Sequence, residues 1–156
     1  MGKLLVFKNH EDFPFGNKLQ IRIKEPMGIK ECPYLYRWTF IIFGYTFRLH
    51  HWLRSDDRRY FHDHSCDLIS IIIKGNYFNV IPDENGNPVK YLAKAWKPRF
   101  MKAEQRHYLD IPKEGAWTIL LCSKPYHKWG FYVNNHKWRP LRYFHKFGII
   151  QTEDYQ

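Results

Sequence analysis

Two histidines, His62 and His64, stand two residues apart in segment 60–75, which then runs through β-branched residues to a glycine. In an extended chain, residues i and i+2 point to the same side. Both imidazoles can therefore reach one point, as a pair of metal ligands must. A third, His107, lies in a later strand-like segment and could close the site. Neutral imidazole is a common ligand for zinc, iron, copper and nickel, and three imidazoles leave positions open for substrate or water. A redox-active metal held there points to oxidation. A redox-inert one points to isomerisation or hydrolysis through Lewis-acid polarisation. His50 and His51 are adjacent on an earlier strand-like run, so at most one of them can enter the same cavity. Leu49, His51 and Leu53 would share the other face, which leaves His50 as the inward candidate and the candidate general base.

Such a site needs a β scaffold, and helical periodicity is almost absent. Short alternating or β-branched runs recur between turn residues, the pattern of an all-β sandwich or barrel. The expected strands cover 18–24, 34–43, 45–53, 67–74, 76–81, 89–95, 106–111, 117–123 and 128–133. Asn85 and Gly86 form a hairpin signal because both tolerate positive φ. Gly44 and Gly75 read as tight turns between paired strands. On the ligand side, alternation places His64, Cys66, Leu68, Ser70 and Ile72, with Asp67 facing away unless a bulge turns it.

One domain should account for all 156 residues, with 1–16 as an arm and 151–156 as a polar tail. Lysine and arginine outnumber the acids 25 to 15, giving a net charge of +10 and a pI near 9.5. That balance favours anionic partners such as nucleotides, phosphorylated metabolites or nucleic acid. Aromatic residues make up 19% of the chain, which suits a β-rich protein with a lined cavity. Cys32, Cys66 and Cys122 are scattered and odd in number, so neither a zinc motif nor a disulfide framework is expected, and a reducing cytoplasm is. No apolar run approaches the roughly 18 residues of a membrane span, and the first residues lack a signal-peptide core. A soluble intracellular protein is expected.

The motifs then add a resemblance. A histidine pair opening a strand that ends at Gly75 resembles the first motif of the cupin superfamily, and Phe100 through His107 to Ile111 resembles the second. The likeness is closer to small cupin-like proteins encoded by bacteria and their phages. It is carried by Leu49, His50, His51 and Trp52 leading into Leu53, Arg54, Ser55, Asp56 and Asp57. It continues with Phe61, His62, Asp63, His64 and Ser65, then Gly75, Asn76 and Tyr77, then Trp129, Gly130 and Phe131, and so covers roughly residues 34–144. It implies a cupin-type double-stranded β-helix, or jelly-roll barrel, with a metal-lined mouth. It implies location in a bacterial cell or a phage-infected host. The fold hosts dioxygenases, isomerases, decarboxylases and metal-free binding proteins, so it does not imply a reaction. Metal cupins commonly supply a glutamate four residues after the second histidine. Leu68 stands there and cannot ligate.

The implied site is three-histidine (His62, His64, His107), with Asp67, His50 or His51 as possible additions. The metal is expected to be Fe(II), with Zn, Mn or Ni as alternatives. The expected activity is that of a metal-dependent oxygenase or isomerase, an Fe(II) dioxygenase among them, acting on a small anion. A non-catalytic pocket for a nucleotide, sugar or other anion is the alternative. Arg48, Arg54, Ser70 and Trp117 are the expected substrate-binding residues, since arginines near a cavity mouth can fork onto a carboxylate or phosphate. The loop 54–59 can equally be a solvated turn in which Asp56 and Asp57 pair with its arginines. Aromatics interleaved with cations in 137–146 offer a weaker nucleic-acid reading. His10, His127, His136 and His145 read as surface residues. A homodimer is possible, with Leu4 to Phe7 as a candidate contact.

Overall fold

Alternation in burial turns most of the expected runs into strands. The computed structural model describes residues 19–29 and 31–148. The expected arm and tail, with Leu4 to Phe7 and His10, lie outside the described residues. The strands are β1 (Gln20–Ile29), β2 (Cys32–Ile42), β3 (Tyr45–Trp52), β4 (Leu68–Lys74), β5 (Tyr77–Pro82) and β6 (Pro88–Ala93). They continue with β7 (Arg99–Met101), β8 (Tyr108–Asp110), β9 (Ala116–Cys122), β10 (Phe131–Val133) and β11 (His136–Trp138). One helix, α1 (Pro140–Phe147), follows.

Six strands form one sheet in the order β1-β2-β3-β9-β4-β7, and three form another in the order β6-β5-β8. Met27, Leu35, Trp52, Ile72 and Ala116 from the larger sheet share a core with Tyr77, Ala93 and Leu109 from the smaller. The core therefore lies between the two sheets, as in a β-sandwich.

Antiparallel register aligns inward side chains into rows across the larger sheet. One row is apolar: Leu35, Trp52 and Ala116. Three rows along, Ile41 and Thr46 lead to Cys122, Leu68 and Met101, which is also mainly apolar. Between them run Arg37, His50, Thr118 and Ile72, and then Thr39, Arg48, Leu120, Ser70 and Arg99. The inner face thus carries a polar band framed by two apolar rows.

Gly75 does not join paired strands, as its sequence context suggests. β4 pairs with β7 and β9, while β5 pairs with β6 and β8, so Gly75 turns the corner from one sheet to the other. It has φ +79°, and a Cβ on it would lie 2.8 Å from the Gly115 carbonyl oxygen. Gly115, at φ +71°, would drive a Cβ into the carbonyl oxygen of Trp52. Only glycine fits this crossing of backbones.

Helix α1 is a feature the strand reading missed. Pro140, Tyr143, Phe144 and Phe147 fall at helical spacing, and Pro140 occupies the first turn, where its missing N–H costs nothing. Tyr143 is fully buried, stacked on Phe131 at 4.0 Å, and packs with Tyr60, Trp138 and Phe147 in a second aromatic core. The aromatics of segment 137–146 are therefore committed to packing rather than displayed for base stacking. No helix among the described residues is long and apolar enough to cross a membrane.

The loop 54–59 is not a free solvated turn. Ser55 Oγ accepts from Ile111 N at 2.8 Å, and Asp56 Oδ1 accepts from Leu109 N at 2.9 Å. Asp57 accepts from Tyr143 Oη at 2.7 Å and pairs with Arg59, which also donates to the carbonyls of Phe147 and Gly148. This clasp binds the end of β3 to β8 on one side and to α1 on the other. Replacing Gly115 with alanine should destabilise the fold by about 3 kcal/mol, because strained φ adds to a backbone clash. The same change at Gly86, which has φ +85° but nothing within 4 Å, should cost only about 1 kcal/mol. Urea unfolding of the two variants against wild type checks the contrast.

Candidate metal centre

The histidine pair precedes its strand rather than lying on it, since β4 begins at Leu68. What holds the pair is an isolated antiparallel bridge. His62 N donates to His107 O and His107 N to His62 O, both at 2.9 Å. On its other side His62 bridges to Phe131. His64 N donates to Ala103 O at 2.9 Å, and Asp63 N donates the opposite way, to Gly130 O at 3.1 Å. Extended alternation is thus preserved, with His62 and His64 on one side and Asp63 on the other.

The three rings converge. Ligand atoms of His62, His64 and His107 all lie within 4.8 Å of one another. His64 Nε2 is 2.7 Å from His107 Nε2, a contact that one shared proton can satisfy and that one shared cation can replace. His107 Nδ1 sits 2.6 Å from Asn79 Oδ1, which accepts its proton and leaves the Nε2 lone pair facing the centre. His62 Nδ1 is buried with no hydrogen-bond partner. Burial is the main cause holding the rings neutral, with the His62 pKa pushed down to about 4 and that of His64 to about 3. His107 is likewise driven well below the usual range by burial, then by the neighbouring histidines and Arg99. Three neutral nitrogen donors around one point, one with an orphaned ring nitrogen, fit a divalent transition metal.

Leu68, where a cupin glutamate would stand, is buried with Cys66, Met101 and Cys122. Asp67 does not complete the site. Its Oδ1 accepts from Ala103 N at 2.8 Å and from Tyr126 Oη at 2.7 Å on the far side. His51 faces out as well, stacked on Trp117 at 4.2 Å. His50 faces in, packed edge-on against Trp52 at 5.5 Å, and both its ring nitrogens are buried without partners. Burial, and then Arg37, Arg48 and His64, press its pKa well below the usual value.

Of the expected substrate residues, Arg48 and Ser70 lie in the inward polar band. Ser70 Oγ is 3.5 Å from Tyr77 Oη. Trp117 is placed on the opposite side. Ala116, Thr118 and Cys122 are the buried residues of β9, and Trp117, opposite His51 in register, stacks outside on His51 and Trp38. Arg54 is turned to the start of β2, donating to Cys32 O at 3.1 Å.

Three groups carry no sequence signal for the site. Asn79 orients His107 from β5. Asp56 Oδ2 lies 3.8 Å from His62 Nε2. Burial raises the Asp56 pKa while burial lowers that of His62, so the contact joins two groups biased toward neutrality and is not a strong ion pair. The third is the opposite face of the motif. Asp63, fully buried, accepts from Gly130 N at 2.7 Å and Tyr132 Oη at 2.8 Å, contacts His127 at 2.7 Å and pairs closely with Lys137. Burial pushes its carboxyl up, but these donors together outweigh that and hold it low. His127 is consequently part of a network and not a free surface residue.

No family model matches the chain, and no curated protein matches it by sequence. Solved structures do. Fe(II)-HppE with the alternative substrate (S)-1-HPP superposes with a TM-score of 0.52 at 15% identity, covering 70% of this chain and 65% of that one. Hydroxypropylphosphonic acid epoxidase from S. wedmorenis in complex with fosfomycin gives 0.50 at 17% identity, over 70% and 64%. The fold is that of the cupins. The chain spans about 65% of the length of these cupin neighbours, and at this identity the likeness is one of fold alone.

Within the cupin barrel, orientation of His107 should matter to affinity. Asn79→Ala should weaken Zn(II) binding about 10- to 100-fold while the protein stays folded, measured by competition with a chromophoric chelator. Behind the motif, Lys137→Met leaves the Asp63 carboxylate short of its cation and should cost about 3 kcal/mol in denaturant unfolding.

Proposed function

We propose that the protein is a metal-dependent cupin enzyme acting on a small anionic substrate, with Fe(II) held by His62, His64 and His107. The observation that carries this reading is the convergence on one point of three imidazoles held neutral, His107 buried and His62 and His64 half-buried. A bound redox metal would supply activation of dioxygen, and a redox-inert one Lewis-acid polarisation. Leu68 in place of a carboxylate leaves an all-neutral donor set, so the charge of a divalent ion is uncompensated by protein. That favours an anionic substrate completing the coordination. Arg48, half-buried on the inner face, orients the anion, and Ser70 contributes a hydroxyl from the same band. His50 is the proposed proton acceptor, because it is neutral with both ring nitrogens available. Burial, and then the charges of Arg37 and Arg48, make it a weak base, suited to a proton already acidified by metal coordination.

Metal content decides the matter. Tag-free protein is reconstituted anaerobically with Fe(II) and assayed by inductively coupled plasma mass spectrometry, beside His62→Ala and His107→Ala. Near-stoichiometric metal in the wild type and its loss from both folded variants is the expected result. Folded wild type that retains no metal sinks the enzyme reading. A second reading, a non-catalytic pocket for a nucleotide, sugar or other anion, draws on the His64–His107 contact, which the two rings can satisfy between themselves. It requires anion binding that is indifferent to added metal, whereas the enzyme reading requires binding that metal strengthens.

A further inference from the structure

The inward polar band carries more positive charge than the described residues neutralise. Arg37 is paired with Glu25 at 3.4 Å. Arg48 and Arg99 have no carboxylate partner among the described residues, and the Nε of each is buried without a hydrogen bond. Arg99 donates to Tyr77 Oη at 2.8 Å and lies over the Tyr77 ring at 5.1 Å, which positions it but cancels none of its charge. Thr39 Oγ1, in the same cross-strand row, is also buried and unpartnered. Buried polar groups without partners cost free energy, and buried unpaired charges cost more. A fold keeps such groups where a ligand supplies the missing half.

Register gives the two arginines a fixed spacing. Arg48 on β3 aligns with Leu120 on β9, Leu120 with Ser70 on β4, and Ser70 with Arg99 on β7. Three strand spacings separate their backbones, about 14 Å. Both side chains stand on the inner face, at the two ends of this stretch of the row. The charge of Arg48 is felt at His64, and that of Arg99 at His107. Two separate cationic seats therefore stand on the inner face, with Leu120 and Ser70 between them in register.

Building on the reading of this cavity as the substrate site, we infer that it takes a small molecule with two separated anionic groups of carboxylate type, one seated on Arg48 and the other on Arg99. Each seat offers a planar fork that matches a carboxylate. Two seats and two unneutralised charges call for a dianion with its charges apart, which a monoanion or a single-centred dianion cannot satisfy.

The test is calorimetric titration of the full chain, loaded with Zn(II) and separately stripped by chelator, with malonate, succinate, glutarate, propionate and inorganic phosphate. The expected result is that at least one dicarboxylate binds at least tenfold more tightly than propionate or phosphate. Arg48→Met and Arg99→Met should each remove that advantage without changing metal content. They should also leave the ligand-free melting temperature equal or higher, since an unpaired, half-buried charge has gone. Propionate or phosphate matching every dicarboxylate in the wild type overturns the inference, and that comparison needs no variant. Affinity unchanged in both variants overturns it too, as does a lowered melting temperature with the dicarboxylate preference intact. The stripped protein separates the two readings. Arginine-dependent dicarboxylate binding in a chain that holds no metal keeps the seats and removes the metal centre. A chain that holds metal but shows no dicarboxylate preference removes the seats alone.

Discussion

The reciprocal pair of backbone hydrogen bonds between His62 and His107 is the constraint on which the site depends. It is an isolated bridge, not part of a long ladder, and it joins segments 45 residues apart along the chain. Directly opposed residues in an antiparallel pair place their side chains on the same face and a few ångströms apart. Once this bridge forms, two of the three imidazoles must meet, and alternation brings the third, His64, to the same side. The geometry of the cluster is therefore inherited from main-chain pairing, which side-chain packing then refines through Asn79.

The residue between the two histidines works in the opposite direction. Asp63 turns its carboxylate away from the cavity and gathers Gly130, Tyr132, His127 and Lys137 around it. These donors come from the segment that leads into α1, so one side of the motif builds the cavity while the other anchors the C-terminal hairpin. The clasp of residues 55–59 repeats the arrangement, with Asp56 beside His62 and Asp57 holding Tyr143. One device ties the β10–β11 hairpin and the other the helix to the segments around the histidine cluster, each through a buried or half-buried carboxylate.

Much of this was legible in the chain, where a local rule could carry it. The sharing of a side by His62 and His64, the inward turn of His50 and the outward turn of Asp67 all follow from period-two alternation. Register between strands is not local. Trp117 lies opposite His51 in the pairing of β3 with β9 and so shares its outward face, which no local pattern announces. β7 is three residues long, too short to show any period, so nothing local marks Arg99 as facing inward. The helix did leave a signal at positions 140, 143, 144 and 147, obscured because its aromatics and cations also fit a strand. Asn79, Asp56 and Lys137 find their partners only through tertiary contact, and no spacing rule reaches them.

The cross-strand row from Thr39 to Arg99 draws its members from β2, β3, β9, β4 and β7, so no contiguous stretch of chain encodes it. Each position can be altered by a separate codon change, and the apolar rows on either side go on supporting the barrel. On the binding role proposed for the row, selectivity is free to drift while the histidine motifs, each contiguous, keep their appearance. Chains that look alike at those motifs can differ entirely in the molecules they accept. The row, not the motif, is where such lineages would part.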